Sequence, residues 1–165
     1  MVIRPMAHNL DKTDRKILEI LQKDGSLSNL ELADMIALSP SPCSRRVKML
    51  EEAGYFKGNV TLLHPDAIGV NVHVFIQVTL GHQVKKQLQH FEETVSAWPE
   101  VMECYLMAGD FDYLIRVALP DLVAYQHFLD DKLTQYEGIA SIKSSFSLKQ
   151  VQYKTEMPLD HLTDE

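Results

Sequence analysis

Hydrophobic residues recur at helical spacing in the first third of the chain and alternate with polar residues in much of the remainder. Between residues 11 and 54, apolar positions repeat every three or four residues, which predicts three short amphipathic helices. Asp11 is placed to cap the first helix, and the run from Ser28 to Glu31 forms a capping box for the second. A break of only a few residues separates the second helix from the third, so the pair is typical of a helix-turn-helix unit.

Strands and helices alternate from residue 70 onward. The run from Val70 to Leu80 changes between apolar and polar side chains, which predicts a strand with one buried face. A helix is predicted over 84–97, strands over 101–107 and 113–119, a helix between Pro120 and Gly138, and a last strand over 139–149. The order β-α-β-β-α-β predicts a ferredoxin-like unit with both helices on one face of an antiparallel sheet. The predicted fold class is therefore α+β, with an N-terminal helix-turn-helix domain and a C-terminal ferredoxin-like domain.

The predicted sheet leaves one face without helices. Phe75, Phe111 and Tyr113 are expected on this face, which is then too apolar to stay wholly exposed, so a homodimer through the sheet is predicted. The expected boundaries are 1–56 for the helical domain, 57–66 for an extended linker strand, 67–157 for the ferredoxin-like domain and 158–165 for a tail. Pairing of the linker strand with its symmetry mate would set the spacing of two copies of the third helix.

Charge is divided unevenly between these two modules. The 165 residues carry a formal net charge of −7, a total that by itself argues against nucleic acid as a partner. Residues 1–60 hold nine Lys and Arg against eight Asp and Glu, whereas residues 61–165 hold seven against fifteen. The acidic character thus belongs to the ferredoxin-like module, and the charge total says little against DNA binding by the helices.

The sequence also excludes several classes of protein. It has no run of about 18 apolar residues and no apolar leader, so no membrane partner and a cytoplasmic location are expected. Cys43 and Cys104 are too few for a disulfide framework or a four-thiolate zinc site. The seven histidines lack metal-site spacing, and no motif for a catalytic nucleophile occurs. The chain is therefore expected to hold no metal or cofactor and not to be an enzyme.

Basic and hydroxyl side chains are concentrated on the third helix. The set consists of Ser39, Ser41, Ser44, Arg45, Arg46 and Lys48. Arginine can form two hydrogen bonds with guanine, and hydroxyls suit phosphate oxygens. Because the second helix of a helix-turn-helix enters the major groove, these side chains are predicted to bind double-stranded DNA. The alternative is a solvated surface whose cations are balanced by Glu51 and Glu52.

The turn between the second and third predicted strands has properties of an amino-acid site. Gly109 would let the backbone approach a ligand closely, successive amides can bind a carboxylate, and Asp112 can face an ammonium group. The alternative is an ordinary hairpin turn with two solvated aspartates, Asp110 and Asp112. The spacing of these residues leaves both interpretations open.

One motif in each module resembles a known family. The first runs from Leu38 to Gly54 and includes Arg45-Arg46-Val47, and the second is Gly109-Asp110-Phe111-Asp112-Tyr113-Leu114. Together they resemble the leucine-responsive regulatory protein/AsnC family of bacterial and archaeal transcription regulators, over about residues 10–151. The resemblance implies a DNA-binding domain, a regulatory domain, dimers that assemble into octamers, and a free amino acid bound between subunits.

The same resemblance implies which residues surround the effector. They are Leu106, Gly109, Asp110, Phe111, Asp112, Leu122, Ser145, Phe146 and Ser147. A hydrophobic effector such as leucine or methionine is expected. The predicted function is a sequence-specific transcription regulator that responds to this amino acid. The alternative is an amino-acid-sensing adaptor that acts mainly through protein contacts.

Overall fold

The computed structural model of this protein describes residues 10–81 and 84–162. These residues form two compact units. One contains the chain up to Thr61 together with the segment that begins at Gln152, and the other runs from Leu62 to Val151. Residues 152–157 therefore lie with the helices in space, and the boundary expected at residue 157 stays a prediction. Residues 1–9 and the last three residues of the expected tail, 163–165, lie outside the described residues.

Three helices form the first unit. They are α1 (Lys12–Leu21), α2 (Asn29–Met35) and α3 (Pro40–Glu52). Both predicted capping groups are present, because the Asp11 side chain accepts the Asp14 N–H at 2.8 Å and the box at Ser28 closes around the start of α2. Each helix buries one stripe of side chains. The buried core consists of Ile17, Leu18, Leu32, Ala33, Ile36, Cys43 and Leu50.

The turn between α2 and α3 reverses the chain within a few residues. Ala37 has a φ of +55°, in the left-handed region that few residues other than glycine adopt. This conformation lets the Leu38 N–H bond to the Ala33 carbonyl at 2.9 Å, which satisfies a carbonyl at the end of α2. The Asn29 side chain also donates to the Pro40 carbonyl at 2.8 Å and links the starts of the two helices. The predicted helix-turn-helix is therefore held by backbone geometry as well as by its core.

Four antiparallel strands form the second unit. They are β1 (Val72–Leu80), β2 (Val101–Leu106), β3 (Tyr113–Leu119) and β4 (Ile139–Phe146). Helix α4 (Lys85–Ser96) connects β1 to β2, and α5 (Leu122–Phe128) continues as a π-helical turn (Leu129–Leu133) before β4. The order across the sheet is β2-β3-β1-β4, with a short 3-10 helix (Pro65–Ile68) ahead of β1. The predicted ferredoxin-like connectivity is confirmed.

The covered face of the sheet forms the core of the second unit. Val74, Ile76 and Val78 of β1 are fully buried, and the side chains between them point to the other face. Strand pairing carries the same alternation into β3, where every second residue is buried. The period-2 pattern of the sequence thus marked the buried side of β1 correctly.

Tyr113 does not lie on the uncovered face of the sheet, contrary to the prediction. It pairs with the buried Val78, and residues directly opposite in a ladder point to the same face. Its ring packs against Phe91 of α4 with 4.7 Å between centroids, and its hydroxyl donates to the Glu92 carboxylate at 2.9 Å. Of the three aromatic residues expected on the uncovered face, Phe75 is on that face and Phe111 is half-buried in the turn before β3.

The linker between the units belongs to no sheet. Within the described residues its backbone has no strand partner, so the predicted linker strand is not formed in the single chain. Its apolar residues Val60, Leu62 and Leu63 are largely exposed. The period of apolar residues indicated a strand, but a strand also requires a neighbour for its N–H and C=O groups.

Candidate DNA-binding and effector sites

The outer face of α3 presents cations and hydroxyls to solvent. Ser41, Arg45 and Lys48 are spaced by four and three residues, so they share one face of the helix, and all three are exposed. The Lys48 ammonium lies 3.8 Å from the Glu52 carboxylate, with both side chains mostly exposed, so this ion pair is weak. Ser44 is exposed beside them. This arrangement suits a polyanion better than an internal charge network.

The start of α3 offers fewer backbone donors than an ordinary helix. Ser39 occupies the N-cap position, but its side chain makes no capping hydrogen bond within the described part of the helix. Pro40 and Pro42 have no N–H group, so two of the four amides at this end are missing as donors. This end of α3 therefore offers few backbone amides to an anion.

Arg46 points toward α1, and its predicted contact with DNA stays a prediction. Its Nη1 donates to Asp11 Oδ2 and to Asp14 Oδ1, both at 2.7 Å. Successive helical residues are rotated by about 100°, so Arg45 and Arg46 face different surroundings. Arg46 joins α1 to α3, whereas Arg45 stays on the outer face.

Charge stabilises this connection between α1 and α3. Hydrogen bonds to Asp14 and Asp11 raise the pKa of Arg46. Burial alone would raise the pKa of Asp11, but the Asp14 amide and the Arg46 guanidinium hold it below its usual value. This pair could not be predicted from the sequence, because 32 positions separate Asp14 from Arg46 and both aspartates also fit a capping role.

The turn between β2 and β3 is anchored by Asp112. Its Oδ2 accepts the Leu80 N–H at 2.7 Å, and its own N–H donates to the Val78 carbonyl at 3.0 Å. Asp112 is buried, so the alternative of two solvated aspartates is wrong for Asp112 and right only for Asp110. Gly109 has a φ of +155°, and a Cβ there would meet nothing within 4 Å. The turn backbone is therefore accessible to a ligand, while Asp112 holds it against the end of β1.

A second set of predicted effector residues lies near the end of β4. Phe146 packs edge-on against Tyr125 of α5, with ring centroids 4.9 Å apart, and the Tyr125 hydroxyl donates to Ser144 Oγ at 2.6 Å. Leu122 is exposed one turn before Tyr125 on the same helix. Tyr125 and Ser144 were missed by the sequence analysis, although Tyr125 lies three residues after Leu122 and so on the same side of a helix.

Ser145 and Ser147 are separated from Phe146 by the alternation of side chains along a strand. Ser145 pairs with Phe75 and shares its uncovered face, whereas Phe146 faces the helices. The Ser147 N–H donates to the His73 carbonyl at 2.9 Å just beyond β4. The predicted serines therefore line the open face of the sheet.

The predicted effector residues divide into two groups. The turn group is Leu106, Gly109, Asp110, Phe111 and Asp112, and the β4 group is Leu122, Ser145, Phe146 and Ser147. Asp112 is bonded to Val78, whereas Ser145 pairs with Phe75. Val78 and Phe75 are three residues apart along β1, and β3 lies two strand spacings from β4 across the sheet. Each of these separations is about 10 Å, so the two groups lie about 14 Å apart or more. One chain does not bring them around a single amino acid.

The described chain contains no cluster of metal ligands. Among residues 10–81 and 84–162, no three His, Cys, Asp or Glu side chains come together as a metal site requires. Burial, with a contribution from Glu92, raises the pKa of Cys104 to about 11, and burial also raises the pKa of Cys43. Neither thiol is therefore an activated nucleophile. No helix in the described chain has the length and apolarity needed to cross a membrane.

Comparison with known proteins gives a family for both units. Residues 10–57 match the family model of winged helix-turn-helix DNA-binding domains. Residues 73–157, more than half of the chain, match that of the Lrp/AsnC ligand binding domain. The chain belongs to the Lrp/AsnC family. As a family member, it is a DNA-binding transcription regulator with an amino-acid-binding domain, which confirms the predicted family, fold class and function.

Relatives of this Lrp/AsnC protein match it over nearly their whole length. The Bkd operon transcriptional regulator of Pseudomonas aeruginosa is 43% identical over 150 residues, which cover 91% of this chain and 98% of that protein. The leucine-responsive regulatory protein of Escherichia coli K12 is 36% identical over 149 residues, 90% of this chain and 91% of that protein. Both are named as regulators and not as enzymes, in agreement with the prediction.

A solved structure shares the fold of this Lrp/AsnC protein. It is the crystal structure of a transcriptional regulator from Neisseria meningitidis in complex with L-methionine. The two chains are 42% identical with a TM-score of 0.89, and the match covers 93% of this chain and 99% of the Neisseria chain.

Proposed function

We propose that α3 of this regulator enters the major groove of a specific operator. The observation that carries the proposal is the exposed outer face of α3, where Arg45 and Lys48 lie one turn apart. Arg45 is the candidate for base contact, because a guanidinium can bond both O6 and N7 of guanine. Lys48 and the hydroxyls of Ser39, Ser41 and Ser44 are assigned to phosphates. Arg46 is assigned to the connection with α1 instead.

The proposed active form is a homodimer, which assembles further into an octamer. A dimer would place two copies of α3 about 34 Å apart, one helical turn of B-DNA. Two apolar surfaces support association: the exposed linker residues Val60, Leu62 and Leu63, and the uncovered sheet face around Phe75. An octamer would bind several half-sites at once, so that weak individual contacts sum to tight binding. We place this DNA-bound regulator in the cytoplasm.

The proposed effector is a hydrophobic amino acid, leucine or methionine, bound between two copies of the chain. The turn group of one copy would hold the ammonium and carboxylate groups, and the β4 group of another would contact the side chain. This division is supported by the separation of the two groups within one chain. Methionine is supported by the Neisseria regulator, which was solved with L-methionine.

Mixed assemblies test whether two copies build one effector site. Asp112→Asn alters the turn group and Phe146→Ala alters the β4 group, so each variant alone should bind L-methionine weakly in calorimetry. Co-expression of the two should restore tight sites, because some pockets then combine the intact groups of both copies. As the matched control, co-expression of Asp112→Asn with Leu106→Ala, two changes in the turn group, should restore none. Equal results in both mixtures would contradict a shared site.

A thermal-shift screen of the twenty amino acids identifies the effector. A ligand that binds only the folded chain stabilises it by about 2.7 kcal/mol at 100 times its Kd, so leucine or methionine should raise Tm most. A gel shift with the DNA upstream of the protein's own gene, with and without that amino acid, then tests regulation. A chain that binds the amino acid but shifts no DNA would instead be the sensing adaptor.

A further inference from the structure

The C-terminal segment lies along α1 in the helical unit. The Met157 N–H donates to Gln22 Oε1 at 2.9 Å, and Gln22 Nε2 donates to the Met157 carbonyl at 3.1 Å. Arg15, about two turns earlier on α1, donates to the Leu162 carbonyl at 3.0 Å and to the Asp160 carboxylate at 3.1 Å. Residues 157–162 thus run antiparallel to α1 across one helix face, and we call them the strap.

Apolar packing reinforces these hydrogen bonds. Leu159, in the middle of the strap, is half-buried and packs against the core of the helical unit. Ahead of the strap, Leu148 is fully exposed and Val151 is 89% exposed. The far end of the segment after β4 is therefore docked on the helices by both polar and apolar contacts, whereas Leu148 and Val151 project into solvent. The contrast between the docked strap and the exposed residues before it distinguishes the strap from a tail that merely lies on the surface.

The strap follows β4 along the chain after a connecting segment. That strand ends at Phe146, within the β4 group, and ten residues connect it to Met157. On the other side, α1 is bonded to α3 through the contacts of Asp11 and Asp14 with Arg46. A continuous series of covalent bonds and side-chain contacts therefore leads from β4 to the recognition helix without passing through the linker.

We propose that the strap couples amino-acid binding at β4 to the DNA affinity of α3. Binding that displaces the end of β4 would move the strap, and with it the position of α1 and its partner α3. This inference rests on the proposed function, because it requires an effector at the β4 group. The chain passes between the two units twice, through the linker and through the strap, so a shift at β4 reaches the helices by a path of its own. Coupling of this kind appears as a ratio of operator affinities with and without effector.

The test weakens the strap in the full-length protein. The double variant Gln22→Ala/Leu159→Ala removes two hydrogen bonds and the packing contact. The matched control, Gln89→Ala/Leu148→Ala, makes the same changes at exposed positions in the other unit. Operator Kd is measured by fluorescence anisotropy with and without saturating L-methionine or L-leucine, effector Kd by calorimetry, and mass by light scattering.

The effector-dependent change in operator Kd should be at least fivefold smaller in the strap variant than in wild type. Its effector Kd and its mass should stay within twofold of the wild-type values. The control variant should keep the full change. A strap variant that responds like wild type would overturn the inference, and so would a loss of response that accompanies a change of mass, because assembly would then be the cause. A wild-type protein that binds DNA but neither amino acid would overturn the proposed effector function, and the inference with it.

Discussion

The predicted DNA-binding face and the predicted effector residues differ in how much of a site one chain can build. On α3, residues three and four positions apart share a face, so Ser41, Arg45 and Lys48 come together through local geometry alone. The effector residues follow strands, which carry them to different places on the sheet, about 14 Å apart or more. A candidate recognition surface can be predicted from one helix, whereas a pocket needs convergence that this chain does not supply by itself.

Removal of Arg45 should have the largest effect on the DNA-binding face. Arg45→Ala is expected to cost about 1 to 3 kcal/mol of operator binding if this side chain contacts a base through two hydrogen bonds. Arg45→Lys retains the charge but lacks the planar pair of donors, so its operator affinity should lie between those of Arg45→Ala and wild type. Both are measured by anisotropy at fixed salt. Unchanged affinity of the alanine variant would assign base contact to another residue.

Removal of Arg46 should act on stability instead. Arg46→Ala removes the guanidinium from the buried Asp14 carboxylate, which is expected to lower the free energy of unfolding by about 2 kcal/mol, less than for a fully buried pair because the guanidinium is partly exposed. Lys48→Ala is the control: it should leave urea unfolding nearly unchanged but reduce the salt dependence of DNA binding by about one phosphate contact. Equal stability of the two variants would remove Arg46 from its role between α1 and α3.

The contact between Asp11 and Arg46 should respond to acid. The pKa of Asp11 in the folded protein lies below the ordinary value of 3.8, so its contribution to stability is present above that value and is lost as the pH falls through the folded pKa. The destabilisation caused by Arg46→Ala should therefore be largest at neutral pH and shrink below pH 3.8. Urea unfolding of both proteins at several pH values measures this difference. A constant difference down to the lowest pH would contradict the charge-based account.

Asp112 allows structure and effector binding to be separated within the turn group. Asp112→Ala leaves the Leu80 N–H without its acceptor and should cost about 1 to 2 kcal/mol of stability. Asp112→Asn keeps an acceptor oxygen and should cost less, while it removes the charge proposed to face the ammonium group. Urea unfolding and calorimetry with L-methionine distinguish the two effects. If the asparagine variant binds L-methionine as wild type does, Asp112 serves the fold alone.

A small effect is expected at the turn of the helix-turn-helix. Ala37→Gly should raise the free energy of unfolding by less than about 1 kcal/mol, because glycine adopts a positive φ without the steric cost of a Cβ. Ala118→Gly in β3 is the opposite case, since a glycine in a strand lowers stability. Thermal unfolding should therefore move in opposite directions for the two variants. Destabilisation by both would show that the turn does not require its left-handed residue.

Prediction from the sequence succeeded where neighbours along the chain decide the structure. The caps at Asp11 and Ser28 and the alternation in β1 depend on residues within a few positions of one another. It failed for Tyr113, because the alternation gives the two faces of a strand but the ladder decides which of them is covered. The linker strand is not formed within the single chain for a related reason, since an apolar pattern does not provide a pairing partner, and its pairing with a second copy stays a prediction.

The candidate sites show the same limit. Exposure of Arg45 followed from helical spacing, but the contact of Arg46 with Asp14 joins residues 32 positions apart and could not be read from either segment alone. The strap is a more distant case, because Met157 and Gln22 are separated by 135 positions. The roles proposed for the turn group and the β4 group stay predictions, and the calorimetry of mixed assemblies addresses them directly.

The sequence by itself determined the elements, their order and the two motifs that mark a family, because helical period, strand period and capping are local properties. Tertiary structure decided which of two adjacent arginines faces solvent and where the C-terminal segment docks. It also decided that the predicted effector residues divide into the turn group and the β4 group. These outcomes depend on contacts between residues far apart in the chain. Their energies arise only when burial and charge bring such residues within a few ångströms of one another.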